Sequence, residues 1–174
     1  MSGGHAVNDA SIVFELSGQF VLDHVVPTPA ELVCGYRLGW IAPQVAVRLA
    51  LAGLEVIPDL PTSYEDLALL LSDQLDQVPQ LMDALGRAAD PTERDAQVWL
   101  FLVLCWVFKH RTEFSDPFSI VERLYDDFNF PEEIEGFVRF FPVAGDSPTG
   151  EAALFDRWAK YLETASEKYR RRFK

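Results

Sequence analysis

A chain of 174 residues, 49% hydrophobic and 24% charged, is long enough to bury a substantial core and too apolar for wholesale disorder. Its formal charge is −12; five of the 15 positive side chains fall within residues 168–174, so the rest sets 10 cations against 27 carboxylates, a balance of −17. Such a body is repelled by nucleic acid and by anionic lipid and attracted to basic surfaces, so neither a nucleic-acid nor a membrane partner is expected.

Residues 1–10 are small and polar and are expected to fray as a flexible N-terminus, ahead of one domain over 11–173. Between 11 and 26 two patterns compete. Ile12, Phe14 and Leu16 alternate as in a strand, while Phe20, Val21, His24 and Val25 fit a helical stripe, which favours helix for the second half. Glu15 and the lack of a preceding Lys or Arg argue against a secretory leader, and a cytoplasmic location is expected.

Pro27-Thr28-Pro29 breaks the chain, and Thr28 can cap a helix with Pro29 first and Glu31 third. Gly39 is a suitable stop, and Pro43 opens a second helix running to Gly53. After the linker Ile57–Pro61, Thr62 or Ser63 caps a helix whose stripe is Leu67, Leu70, Leu71, Leu75 and Val78. Pro79 breaks or kinks it, and Leu81, Met82 and Leu85 continue the stripe to Gly86. Asp90-Pro91, with Glu93 third, predicts the start of a central helix at about 91–110. That helix contains residues 98–108, eleven in succession without a polar side chain, about half of what a bilayer span requires. It is expected to be buried on nearly all sides, with Leu100, Leu104, Trp106 and Val107 inward. Lys109, His110 and Arg111 suit its negative end.

Ser115-Asp116-Pro117 starts the next helix, with Phe118, Val121, Leu124, Tyr125 and Phe128 on one face, and Asn129-Phe130-Pro131 stops it. Ile134, Phe137, Val138, Phe140 and Phe141 predict a short helix before Pro142. Residues 143–150 read as a loop. A last helix over 151–173 carries Leu154, Phe155, Trp158, Tyr161 and Leu162 inward and a basic end. The class is therefore all-α: a compact single-domain bundle of about six to eight helices around the hydrophobic one, with an N-terminal segment that could be extended.

Chemistry is sparse. His5, His24 and His110 have no second ligand at metal spacing, glycine-rich phosphate loops are absent, and serine occurs in no nucleophile elbow. Cys34 and Cys105 stand among apolar neighbours as small core residues, not as a disulfide frame or a nucleophile. No catalytic residue, metal ligand or cofactor is expected. Paired carboxylates leave one enzymatic alternative, a Mg²⁺-dependent all-α nucleotide hydrolase using Asp73 and Asp76 on one helix face with Asp126 and Asp127 or Glu132 and Glu133. The segment 168–174 could touch phosphates, but the charge of the body opposes this, and its cations also suit a helix C-terminus.

The segment 125–134 stands out because aromatic rings alternate with four carboxylates and turn formers. A mixed ridge of this kind grips a basic protein, the rings anchoring and the carboxylates steering. The candidate partner-binding residues are Asp126, Asp127, Phe128, Phe130, Glu132 and Glu133.

Gly35-Tyr36-Arg37-Leu38-Gly39-Trp40, the run from Trp99 to Trp106, Asp116-Pro117, Tyr125-Asp-Asp-Phe128, the run from Phe130 to Arg139, and Trp158-x-x-Tyr161-Leu162 together resemble a family of small bacterial proteins, domain of unknown function 2247. The resemblance covers roughly residues 30–163. It implies a helical fold and, because that family carries no assigned activity, supplies no catalytic residues. Small acidic bacterial domains of this sort are similar in setting to immunity proteins that neutralise a cognate toxin. The expectation is a protein-binding domain, an acidic immunity protein against a basic bacterial toxin, with the nucleotide hydrolase and a structural or interaction domain as alternatives.

Overall fold

The computed structural model of the protein describes residues 15–142 and 145–173. The expectations for 1–14, a frayed start and a strand-like alternation, lie outside them. Among the described residues there is no strand. The helices are α1 (Gly18–Leu22), α2 (Pro29–Arg37), α3 (Pro43–Leu54), α4 (Thr62–Ala68), α5 (Val78–Ala89), α6 (Gln97–Lys109), α7 (Pro117–Asp127) and α8 (Glu151–Arg170), with short 3-10 turns at Leu75–Gln77, Glu93–Ala96, Arg111–Glu113 and Glu132–Phe137. The chain divides into two compact units, one comprising the described residues up to Trp99 together with Phe173 and the other Leu100–Arg172, and the division falls inside α6.

In the first unit, local chemistry sets the boundaries of α2. Thr28 Oγ1 accepts from the Glu31 amide (3.3 Å) and the Glu31 carboxylate accepts from the Thr28 amide (2.9 Å), a reciprocal cap that satisfies two otherwise orphaned donors. At the other end Gly39 takes φ +79°, and the Gly39 and Trp40 amides donate back to the Tyr36 and Gly35 carbonyls (3.1 and 3.0 Å). That reversal needs a left-handed residue, which glycine supplies without steric cost. α3 turns inward a stripe of small residues, Ala46, Ala50 and Gly53 with Leu49. Gly53 lets Tyr64 of α4 rest against the α3 backbone. Gly35 of α2 likewise receives the Trp99 indole, whose Nε1–H donates to the Glu31 carbonyl (2.7 Å).

The long kinked helix expected between 62 and 86 is instead two helices. α4 begins after an extended Pro61, with no side-chain cap from Thr62 or Ser63, and stops at Ala68. Leu69 and Leu71 then point to solvent. Pro79 sits in the first turn of α5, where its missing N–H costs nothing, so it starts a helix rather than bending one. Asp90 does not open the next helix either. It closes α5 in the left-handed region, φ +48°, because Pro91 disfavours the helical conformation for its predecessor and Asp tolerates the left-handed one. The cap falls to Thr92, paired with Asp95 over the 3-10 turn, and α6 proper begins at Gln97 rather than at 91.

α6 is buried as its composition requires. Residues 98–105 and Val107 are all inside, each large apolar side chain contributing roughly 1.5–3 kcal/mol relative to exposure. Trp106, expected inside, is half-exposed and stacks on His110 (centroids 4.1 Å apart). His110 Nδ1 bonds the Trp106 carbonyl (2.7 Å) and Arg111 donates to the Phe108 carbonyl (2.7 Å), so these two side chains do close the helix end. In the second unit the core is a set of rings: Phe108, Phe118 and Phe137 meet Trp158 at centroid distances of 5.2, 5.9 and 5.7 Å, and Phe101 stacks on Tyr169 at 5.2 Å.

Burial pushes the Tyr64 phenol up from 10.0 to about 12, and no described group bonds its buried hydroxyl. The neutral phenol's contribution is complete below pH about 10 and is lost as pH rises towards 12, where the unfolded chain ionises first, a loss of about 2–3 kcal/mol. Denaturant titrations across this range should therefore show a shallower alkaline decline for Tyr64→Phe, with equal or slightly higher stability at neutral pH because an unsatisfied hydroxyl is removed. A parallel decline in both proteins would contradict this.

Candidate functional site

The ridge expected at 125–134 is built by α7, its C-terminal reversal and the 3-10 turn that follows. Asp116 caps α7, its Oδ1 accepting from the Ser119 amide (3.3 Å), with Pro117 in the first turn. Leu124 and Tyr125 face inward, which leaves Asp126 and Asp127 exposed. The helix ends in a double reversal: the Asn129 amide donates to the Asp126 carbonyl (3.2 Å) and the Phe130 amide to the Tyr125 carbonyl (2.8 Å). Asn129 takes φ +58°, as asparagine tolerates, and Phe130 takes the same value ahead of Pro131. This reversal characteristically brings the residue after the left-handed one against the last turn of the helix. Accordingly the Phe130 ring meets Tyr125 edge to face at 5.2 Å while 56% of Phe130 stays exposed.

The 3-10 turn Glu132–Phe137 is anchored by buried Ile134 and Phe137, the latter stacked on Trp158 of α8, and by Arg157, whose Nε–H donates to the Gly136 carbonyl. With those two inward, Glu132 and Glu133 point to solvent. Arg139 then ties the chain back to α7. It donates to both Glu122 oxygens (2.7 and 3.1 Å) and to Asp116 Oδ2 (2.9 Å), so the carboxylate that caps α7 also holds the far end of the ridge. The hydrogen bond to Glu122, foremost, and the one to Asp116 push the guanidinium above its ordinary value against the opposing effect of burial.

Five of the six expected residues, Asp126, Asp127, Phe130, Glu132 and Glu133, are exposed on this short stretch; Phe128 is half-buried as the α7 cap. Three further side chains of the same stretch were not among the expected residues. Phe140 and Phe141, expected on the inward stripe of a short helix, follow the turn in non-helical backbone and are 94% and 39% exposed. The helix stops at Phe137 because Val138 is extended and Phe140 takes φ +68°. The third is Tyr125, the hub. Phe141 also meets it edge to face (5.6 Å), and its hydroxyl donates to Glu135 Oε1 (3.0 Å). Burial first, then that bond and the carboxylates of Glu135, Asp126 and Glu132, push its phenol up. The turn formers Asn129 and Pro131 were the available signal for Phe130; nothing in the apolar run 137–141 distinguishes inward from outward rings.

Asp73 and Asp76 do not share a helix face. Asp73 lies in the turn after α4 and Asp76 in the 3-10 turn Leu75–Gln77, both exposed. Among the described residues no group of three or more His, Cys, Asp or Glu is arranged to hold a metal ion, and no helix is long and apolar enough to cross a membrane. Burial, with Asp95 and Glu31 beside it, pushes the Cys34 thiol up to about 11 despite Arg37, and burial raises Cys105 as well; both therefore remain thiols at neutral pH. At the basic end, Lys168 and Arg172 lie over the ring of buried Tyr169 (5.4 and 4.9 Å).

Replacing Arg139 by Met should release 138–141 from α7. The ion pairs are about one-third exposed, so the expected loss in global stability is small, about 1 kcal/mol or less. Amide exchange at 138–141 should rise sharply while that of α8 is unchanged; unaltered exchange in the segment would show that the rings, not the ion pairs, fix it.

Residues 18–166 match the family described as an uncharacterized protein conserved in bacteria (DUF2247), and the chain belongs to that family. No curated protein and no solved structure matches it.

Proposed function

We propose that this family member is a protein-binding domain that recognises a basic partner through the ridge at 125–141, and that its biological role is that of an acidic immunity protein neutralising a bacterial toxin. The observation that carries the reading is the combination of exposed rings and exposed carboxylates on a segment whose backbone is held at both ends. Phe130, Phe140 and Phe141 are exposed beside Asp126, Asp127, Glu132 and Glu133. Between Arg123 and Arg139 the chain has five carboxylates and no Lys or Arg. Exposed rings on a supported backbone lose little entropy on contact and supply anchoring area, while rim carboxylates accelerate encounter with a cationic surface and make the rate fall with salt. A net charge of −12 extends the steering over the whole molecule.

The test is capture from the native organism by the wild-type chain and by a variant carrying Asp126→Asn, Asp127→Asn, Glu132→Gln and Glu133→Gln. The wild type should retain a basic protein at low salt and release it at high salt, and the variant should retain at least tenfold less. Expressed alone, the captured protein should arrest growth, and co-expression of the wild type but not of the variant should relieve the arrest. Retention that is equal in both proteins and insensitive to salt would overturn the ridge. A captured partner that is harmless when expressed would overturn the immunity role.

A further inference from the structure

Tyr125 is the point at which the ridge's two chemistries meet, and this narrows what can bind there. Two partly exposed rings, Phe130 and Phe141, stand edge to face against it at 5.2 and 5.6 Å, with interplanar angles of 71° and 78°. Carboxylates follow Tyr125 in the chain: Glu135 accepts a 3.0 Å hydrogen bond from its hydroxyl, exposed Asp126 comes next to it in α7, and exposed Glu132 opens the next turn. Because Tyr125 is itself buried and its hydroxyl is engaged, the surfaces left to a ligand are the exposed parts of two phenylalanine rings and the carboxylates near them in the chain.

We infer that the ridge selects arginine, seating a guanidinium of the partner against Phe130 and Phe141 with Asp126 and Glu132 on its N–H edge. This deepens the basic-partner reading above and rests on it. Both flat faces of a guanidinium are weakly hydrated and stack on aromatic rings, while its in-plane donors match carboxylate oxygens. A lysine ammonium is a strongly hydrated point charge that must be stripped of water to approach the same rings. A carboxylate can favour the guanidinium through paired donors, but exposed, unsupported carboxylates respond chiefly to charge, so the rings supply most of the discrimination. Phe140, next in the chain to Phe141, is 94% exposed in a left-handed conformation that an aromatic residue adopts at a cost.

The probes are two capped peptides of equal charge, hexa-arginine and hexa-lysine, titrated into the full chain at low salt. The arginine peptide should bind about three- to tenfold more tightly. Phe130→Leu with Phe141→Leu should erase the preference and leave a weak salt-dependent affinity common to both peptides. Asp126→Asn with Glu132→Gln should weaken both peptides together. Both phenylalanines are partly exposed, and circular dichroism checks that the double variant is folded; if it is not, Phe141→Leu alone carries the test and should reduce the preference. Equal, salt-dependent binding of the two peptides, or a preference that survives removal of the rings, would overturn the arginine inference while leaving the basic-partner reading intact. Failure to bind either peptide would overturn both. Self-association of the chain that is lost on deleting 168–174, without peptide binding, would assign the ridge to a second copy instead.

Discussion

Residues 98–105 and 107 have no side that tolerates water, and the rest of the fold answers to that. An amphipathic helix needs a partner on one face only; a helix apolar all round needs apolar material wherever its side chains point. At its start Trp99 is received by Gly35, a position where any side chain would collide with the indole, and its one polar atom is satisfied by the Glu31 carbonyl. Further along, Phe101 finds Tyr169, and Phe108 finds Phe155 and Trp158. Polar closure is confined to the ends: the Thr92–Asp95 pair caps the 3-10 turn that leads into α6, and the His110 and Arg111 side chains bond the Trp106 and Phe108 carbonyls in its last turn. Such a core consumes many of the chain's large aromatic side chains, which makes the few left outside informative.

Those few are concentrated at 130–141, and they are held there by ordinary local chemistry. A helix terminated by asparagine in the left-handed region swings the next residue back over the last turn, which places Phe130 on Tyr125. A 3-10 turn hung on Ile134 and Phe137 then projects Glu132 and Glu133 outward. The Asp116–Arg139–Glu122 ion pairs return the chain to the beginning of α7. Each device is weak alone, and together they order a segment rich in like charge that would otherwise extend by self-repulsion. A surface ordered before binding costs less entropy to use.

The all-helical class, the capped start of α2, its stop at Gly39, the Asp116-Pro117 start of α7 and its stop at Asn129-Phe130-Pro131 could all be read from the sequence, because each depends on residues within one turn of the boundary. The reading failed where the deciding contact is tertiary or where proline has two meanings. Pro79 looks the same whether it bends a helix or starts one, and Asp90 is as good a left-handed terminus as a cap. Leu71, read as part of a stripe, is exposed because α4 ends three residues earlier. In the candidate site the carboxylates were evident from charge density, and Phe130 from its turn. Phe140 and Phe141 were not, since a dense run of rings has no period from which to assign a side. Tyr125 was placed correctly on the inner face of α7, but its role as the meeting point of rings and carboxylates depends on residues 10 and 16 positions away.

The central claim is that rigidity resides in the apolar helix and that the outer parts of the ridge, away from buried Ile134 and Phe137, are ordered without being part of the same cooperative core. Native-state amide hydrogen exchange resolved by residue measures both at once. The account predicts that amides of 100–107 exchange only through global unfolding, tracking the full free energy in denaturant, while those of 129–132 and 139–141 exchange through local opening at a markedly lower free energy. Equal free energies in α6 and in these outer parts, or sub-global exchange along α6, would contradict it.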